Sequence, residues 1–298
     1  QDDFVQHVAS AAQRYGADRV GVVMGTSTSS IDRTEAAYRA MGDGERFPSE
    51  FLQPRTHNPH APGDYLAQRL GLAGPCMTIS AACASSAKVF AAAQRWLLQD
   101  LVDAVVVGGA DTLCLSVIYG FHSLQLVADE PCRPFSPDRK GISLGEAAGF
   151  ALLSKEPAEL CLRGVGESCD AYHMSSAHPD GLGAKLSMQR ALQAAGMSLA
   201  DIDYVNLHGT GTRANDETEG RVCAELDSAR TLFSATKGWT GHALGAAGIV
   251  EAVLSMNAIL TGLVPGTMNT RCVEAGLPIL LESTCRQVDT VLSNSFGF

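Results

Sequence analysis

The chain has 298 residues, of which 46% are hydrophobic and 18% charged, and its formal net charge is −10. That composition excludes a disordered chain and leaves room for two domains of ordinary size or one large duplicated one. The acidic balance argues against nucleic acid as the main partner, because phosphate contacts need a broad basic surface, so any basic docking site must be local.

At the start, Gln1-Asp2-Asp3-Phe4 lacks the basic and apolar order of a signal peptide. No apolar run approaches the roughly 18–20 residues that span a bilayer, and a soluble, cytoplasmic protein is expected. The nine cysteines are scattered and never form C-x-x-C. They make neither a disulfide framework nor a zinc pattern, and each is expected to be a small buried hydrophobe unless its setting says otherwise.

In chain order, the β-branched run Arg19–Gly25 reads as a strand that ends on glycine. Met77 to Ser86 reads as strand and sharp turn, followed by a helix from Ala87 to about Gln99, and Asp103–Gly109 reads as a further strand. The second half repeats this grammar. Tyr204–Leu207 runs into His208-Gly209-Thr210-Gly211-Thr212, and Leu232–Thr236 runs into Lys237-Gly238-Trp239-Thr240-Gly241-His242, with an apolar helix from Ala243 to Leu260 behind it. Strands alternating with helices predict an α/β fold whose sheets are covered on both faces. Matched strand–turn–helix units predict an internal duplication, with halves at 1–156 and 157–298 joined near Lys155-Glu156-Pro157.

Three turns carry candidate chemistry. Cys83 lies between a strand and a helix start, where backbone N–H groups and the helix dipole favour a thiolate, and small neighbours let a substrate approach. His208 and His242 each follow a strand end and are flanked by residues too small for core packing, as at a crevice. Lys237 shares the His242 turn, where a buried cation would keep a neighbouring imidazole neutral.

The strings T-I-S-A-A-C-A-S-S, C-R-P-F-S-P-D-R-K-G, L-H-G-T-G-T-R-A-N-D-E-T-E, S-A-T-K-G-W-T-G-H-A-L-G-A-A-G and S-N-S-F-G-F run in order through nearly the whole chain. Together they resemble the elongating β-ketoacyl-acyl carrier protein synthases, decarboxylating condensing enzymes of the thiolase fold. The resemblance implies two similar α/β halves in a layered αβαβα core. It makes Cys83 the acylated nucleophile, His208 and His242 the pair that assists decarboxylation, and Lys237 the family's active-site lysine. Glu251 matches a supporting acidic residue, Thr210 and Thr212 match threonines that hydrogen-bond a pantetheine arm, and Phe298 matches a phenylalanine that gates the acyl pocket. The backbone N–H groups of Cys83 and Phe298 would form the oxyanion hole. Arg46 aligns with basic residues that dock the carrier.

By the same resemblance no metal or redox cofactor is required, since the phosphopantetheine arm belongs to the acyl carrier protein. The expected partners are that carrier and, in a dimer, either a second copy or a related ketosynthase-like subunit. By comparison with the family, a first strand and helix are expected before Gln1, and a glycine-rich stretch and final strand after Phe298. Ala147 and Trp239 depart from the family's usual residues and bear on substrate shape. A degradative thiolase would carry a second Cys in C-x-G-G-G, and a priming-type synthase would carry Asn where His242 stands. A serine hydrolase would need G-x-S-x-G, which is absent. A non-catalytic chain-length-setting subunit would lack Cys83, so in any such pair this chain is the catalytic member.

Overall fold

The structure is a computed structural model that describes residues 2–42, 46–47, 49–51, 58–173, 176–225, 230–274 and 276–297. The chain divides into two compact units. The first comprises Gln1–Phe121, Glu146–Pro157 and Ala243–Ile249, and the second His122–Gly145, Ala158–His242 and Val250–Phe298.

In the first unit, helix α1 (Asp2–Tyr15) leads into strand β1 (Val20–Gly25), helices α2 (Ile31–Ala40) and α3 (Ala61–Leu70) and strand β2 (Cys76–Ile79). Helix α4 (Ser85–Leu98), strand β3 (Ala104–Asp111), helix α5 (Leu115–Ser123) and strand β4 (Ala147–Ser154) follow. The sheet order is β2-β1-β3-β4, with β1 parallel to β2 and β3, and β4 antiparallel to β3. Alternating side chains sort the sheet onto two layers of helix. Val23, Val105 and Val107 pack on Val89, Ala92, Ala93 and Leu97 of α4. Their neighbours Val22, Met24, Ala104 and Val106 pack on Val8 and Ala11 of α1 and on Leu66 and Leu70 of α3. Burial on both faces explains why β1 and β3 read as near-continuous apolar runs.

The second unit holds helix α6 (Leu182–Ala195), strand β5 (Tyr204–Leu207), helix α7 (Arg213–Glu225) and strand β6 (Leu232–Ala235). After these come helices α8 (Lys237–Thr240) and α9 (Ala247–Thr261) and strands β7 (Leu263–Val264), β8 (Thr284–Cys285) and β9 (Val291–Ser293). Strands β6, β5 and β9 form a parallel sheet in that order, and β7 pairs antiparallel with β8. Phe135, Val205, Leu207, Phe233 and Ala235 share one core, and Tyr204, Ala258, Val264 and Val288 another.

The units differ from the expected 1–156 and 157–298 by two exchanges. Segment 122–145 enters the second unit because Phe135 is fully buried in its core. Segment 243–249 enters the first because Gly245 donates to the Asp111 carboxylate at 2.6 Å and Ile249 donates to Ser86 Oγ at 2.9 Å. The expectation that no stretch approaches the length of a membrane span is also corrected. Leu244–Thr261 forms 18 helical residues with mean hydropathy 1.6, of which half are buried. It contains the buried Glu251, paired with Lys237, and the buried Ala258, which gives it the character of a core helix.

The start of α4 is set by close approach to β1, where a Cβ at Gly25 would lie 2.5 Å from the backbone nitrogen of Ser86. Backbone cannot yield as a flexible side chain can. Gly25→Ala is therefore expected to destabilise the protein by about 1–3 kcal/mol, the scale of overpacking. Gly120→Ala, whose Cβ would meet nothing within 4 Å, serves as the control and should not destabilise. Urea midpoints of the two variants compare them directly, and equal midpoints would contradict the packing argument.

Candidate active site

Cys83 sits on the connection from β2 to α4 and is buried, with 5% of its surface exposed. The turn is sharp enough that Ala82 takes a left-handed φ of 47°. A non-glycine residue there is strained, and local hydrogen bonds hold it. Ser85 Oγ accepts the Ala81 N–H at 2.9 Å and donates to the Ala82 carbonyl at 2.6 Å, while the Ala84 N–H donates to the Ala81 carbonyl at 3.0 Å. The serine and alanines of A-A-C-A-S-S thus shape an elbow that places Cys83 just ahead of the first turn of α4.

In the second unit, β5 ends at Leu207, just before His208, and β6 leads through Thr236 into Lys237 and His242. His208 and His242 are each 3% exposed, and Lys237 and Glu251 each 2%. The Lys237 ammonium donates to the Glu251 carboxylate, to the His208 carbonyl at 2.5 Å and to His208 Nδ1 at 3.1 Å. An ammonium has no lone pair to accept with, so Nδ1 must be the acceptor, and His208 carries its proton on Nε2. The two imidazoles meet edge to face, with ring centroids 5.5 Å apart, and Phe296 lies 5.5 Å from His208 by the same measure. Burial first, and then the Lys237 charge, push His208 well below the usual imidazole range and His242 down to about 3. Both imidazoles are therefore neutral donors near neutral pH. Burial moves Glu251 the other way, up to about 7, against the pull of Lys237.

A polar network fixes the His208 turn. Glu219 accepts the backbone N–H groups of His208 at 2.9 Å and Gly209 at 2.8 Å, and the Asn294 side chain at 3.0 Å. Asp216 accepts the Phe135 N–H at 2.7 Å and the Gly211 N–H at 3.2 Å. Gly209 itself has φ 41°, and a Cβ on it would lie 2.3 Å from that of Ala235. Arg139 is buried beside these groups and donates to Glu274 at 2.6 Å and to Glu217 at 3.2 Å.

Comparison with known proteins bears on the family and the fold. A profile described as the beta-ketoacyl synthase N-terminal domain matches residues 5–158, and one described as the beta-ketoacyl synthase C-terminal domain matches residues 160–271. The chain belongs to the beta-ketoacyl synthase family. Among relatives, 3-oxoacyl-[acyl-carrier-protein] synthase 2 of Vibrio harveyi is 37% identical over 95% of this chain and 73% of its own length. Nodulation protein E of Rhizobium sp. strain N33 is 33% identical over 94% of this chain and 73% of its own. A ketosynthase of Xenorhabdus doucetiae, solved in complex with its chain length factor, is 40% identical with a TM-score of 0.89, covering 98% of this chain and 75% of that one. The fold is accordingly the thiolase-like one of the ketosynthases.

Within this ketosynthase framework the second unit gathers His208, His242, Lys237 and Glu251, and the first carries Cys83. Thr210 and Thr212 share a hydrogen bond of 2.8 Å between their hydroxyls, with Thr210 buried and Thr212 half-buried. Arg46 is exposed. Phe298 lies outside the described residues, and with it one donor of the expected oxyanion hole. Ala147 begins β4, and Trp239 is half-exposed, its indole donating to the Gly266 carbonyl at 2.8 Å.

Sequence reasoning passed over Asn215, Asp216 and Glu219, which resemble the solvated acidic start of a helix. Their i, i+3 and i, i+4 spacing, which places them on one face of α7, was the available signal. Glu219→Gln would turn an amide NH2 toward a donor, so at least one buried N–H would lose its acceptor. Denaturant unfolding should show a loss of about 1–3 kcal/mol for each stranded donor. An unchanged midpoint would mean that Glu219 does not hold the His208 turn.

Proposed function

We propose that this chain is a catalytic ketosynthase of the 3-oxoacyl-acyl carrier protein synthase type, with Cys83 as its acyl acceptor and His208 and His242 as its decarboxylation pair. The observation that carries this reading is the Lys237 bond to His208 Nδ1, which leaves a neutral imidazole with its proton on Nε2. A cationic imidazole would be a poorer fit to a donor that must act without losing its proton.

In the first step the Cys83 thiol gives up its proton and its sulfur attacks the carbonyl of an acyl thioester on a carrier protein. A tetrahedral oxyanion forms and collapses, and the pantetheine thiol leaves with the proton. In the second step a malonyl thioester loses carbon dioxide, and the electron pair of the broken carbon–carbon bond passes to the thioester oxygen as an enolate. Neutral Nε2–H donors stabilise that oxygen as charge develops on it. The enolate carbon then attacks the acyl group on Cys83, and the sulfur leaves with its electron pair and takes up a proton to give a 3-oxoacyl thioester. These steps run on the chain's own side chains and on the carrier's phosphopantetheine arm.

The naming of the Vibrio relative supports an acyl carrier protein as substrate donor. The Xenorhabdus relative, complexed with a chain length factor, supports pairing with a related subunit, with a second copy of this chain as the other form of the dimer. The exposed Arg46 would supply local positive charge to an acidic carrier on a chain of net charge −10.

The two half-reactions should separate by mutation. Intact-mass analysis and peptide mapping after incubation with acyl carrier thioesters should place the acyl group on Cys83 alone among the cysteines, and Cys83→Ala should lose transfer completely. His208→Ala and His242→Ala should each slow release of carbon dioxide from malonyl carrier by about 10²–10³, the scale for one lost oxyanion donor, and slow acylation less. Acylation of another cysteine, or equal loss of both half-reactions in folded His variants, would overturn the division of labour.

A further inference from the structure

One side-chain cluster in the first unit takes no part in the proposed reaction. Helix α3 begins at Ala61, with His60 as its N-cap residue and Asp64 one turn further on, so the two lie on one face. That face meets β2 closely. A Cβ at the buried Gly63 would lie 2.9 Å from Cys76 Sγ and 3.5 Å from Thr78 Oγ1, the side chains of two residues that share one face of the strand. As a result one ligand atom each from His60, Asp64 and Cys76 lies within 4.8 Å of the other two.

We propose that His60, Asp64 and Cys76 form a three-ligand site for a divalent transition-metal ion, zinc by its ligand chemistry, with the fourth position open to water. Imidazole, carboxylate and thiolate together suit a tetrahedral zinc ion, whereas magnesium and calcium are held by oxygen ligands. A helix-surface His–Asp pair beside a packed thiol would account for the residue types alone. It does not account for how the imidazole is held.

His60 Nδ1 lies 3.1 Å from Thr78 Oγ1, and its Nε2 lies 3.7 Å from Asp64 Oδ1. In the tautomer that donates Nδ1–H to the threonine, the Nε2 lone pair faces the carboxylate. Fixing the distal nitrogen through an outer hydrogen bond is how metal-binding histidines are oriented. The His60 and Asp64 side chains are 41% and 49% exposed, which leaves the ion a path from solvent, while Cys76 is more deeply set.

On binding, the Cys76 S–H bond breaks, its proton goes to solvent, and the sulfur's electron pair forms the metal–sulfur bond with no change of oxidation state. Without a cation, burial and the Asp64 charge hold that thiol protonated, up to about 11. A bound ion would tie α3 to β2, the strand that runs into the Cys83 elbow.

The test is titration of the chelator-stripped full chain with cobalt(II), followed by displacement with zinc. One equivalent of cobalt should bind with a thiolate-to-cobalt charge-transfer band and tetrahedral d–d bands, and zinc should abolish both. Cys76→Ser should remove the charge-transfer band, and Thr78→Val should weaken binding about 10–100-fold while keeping it. Asp64→Asn, at a half-exposed position, supplies a variant that does not disturb the strand and should also weaken binding. A band that survives in Cys76→Ser, isotherms that Asp64→Asn and Thr78→Val leave unchanged, or no bound cobalt would each overturn the proposal.

Discussion

The arrangement of the second unit turns on one buried cation. Lys237 is 2% exposed, and an ammonium withdrawn from water is tolerated only when it is paired and fully hydrogen-bonded. Its partners are the Glu251 carboxylate, the His208 carbonyl and His208 Nδ1, which between them use its three protons. Each partner is constrained in turn. Glu251 must sit on the inner face of α9, His208 must turn its Nδ1 inward, and the α8 turn must carry Lys237 back toward the end of β5. The same charge disfavours a proton on either imidazole, so one interaction sets position, tautomer and ionisation together. Glu251 Oε2 finds no hydrogen-bond donor among the described residues.

A comparable device operates in the first unit with opposite sign. The Asp111 carboxylate is buried and accepts hydrogen bonds from Thr26, Ser27, Thr28 and Gly245. It ties the C-terminal end of β3 to the loop after β1 and to the turn ahead of α9. The small residues Gly25 and Ser86 bring α4 against the same strand ends. Cys83 is thus presented from a rigid frame, and the strained Ala82 is held by bonds to its neighbours.

Much of this was legible in the sequence, because strand ends with small polar residues are local signals. The strands Val20–Gly25, Tyr204–Leu207 and Leu232–Ala235 and the elbow at Cys83 lie where the apolar runs and turns place them. Lys237 was readable as a buried cation because it shares a turn with His242. Tertiary partners were less readable. Nothing local distinguishes Asp111 from a surface carboxylate, and for Asp216 and Glu219 the shared face of α7 is the one local sign, since the N–H groups they accept come from other segments. The stretch Leu244–Thr261 was legible as an apolar helix, but its membrane-span length was not, because the charged Glu251 interrupts the apolar run. The exchange of segments 122–145 and 243–249 between units was hidden for the same reason, being decided by Phe135, Gly245 and Ile249 through contacts far apart in the chain.

The central claim is that Lys237 holds His208 neutral with its proton on Nε2 and keeps His242 neutral beside it. Nitrogen NMR of the histidine rings, followed as pH is lowered over the range in which the fold persists, reads both tautomer and charge. The account predicts His208 with a bare Nδ1 and a protonated Nε2, and no titration of either ring near the ordinary value of 6.5, with His242 neutral down toward about 3. In Lys237→Met both titrations should move up toward 6.5, because the cation that opposed the second proton is gone. A His208 ring that carries its proton on Nδ1, or wild-type rings that titrate as ordinary imidazoles, would contradict the claim.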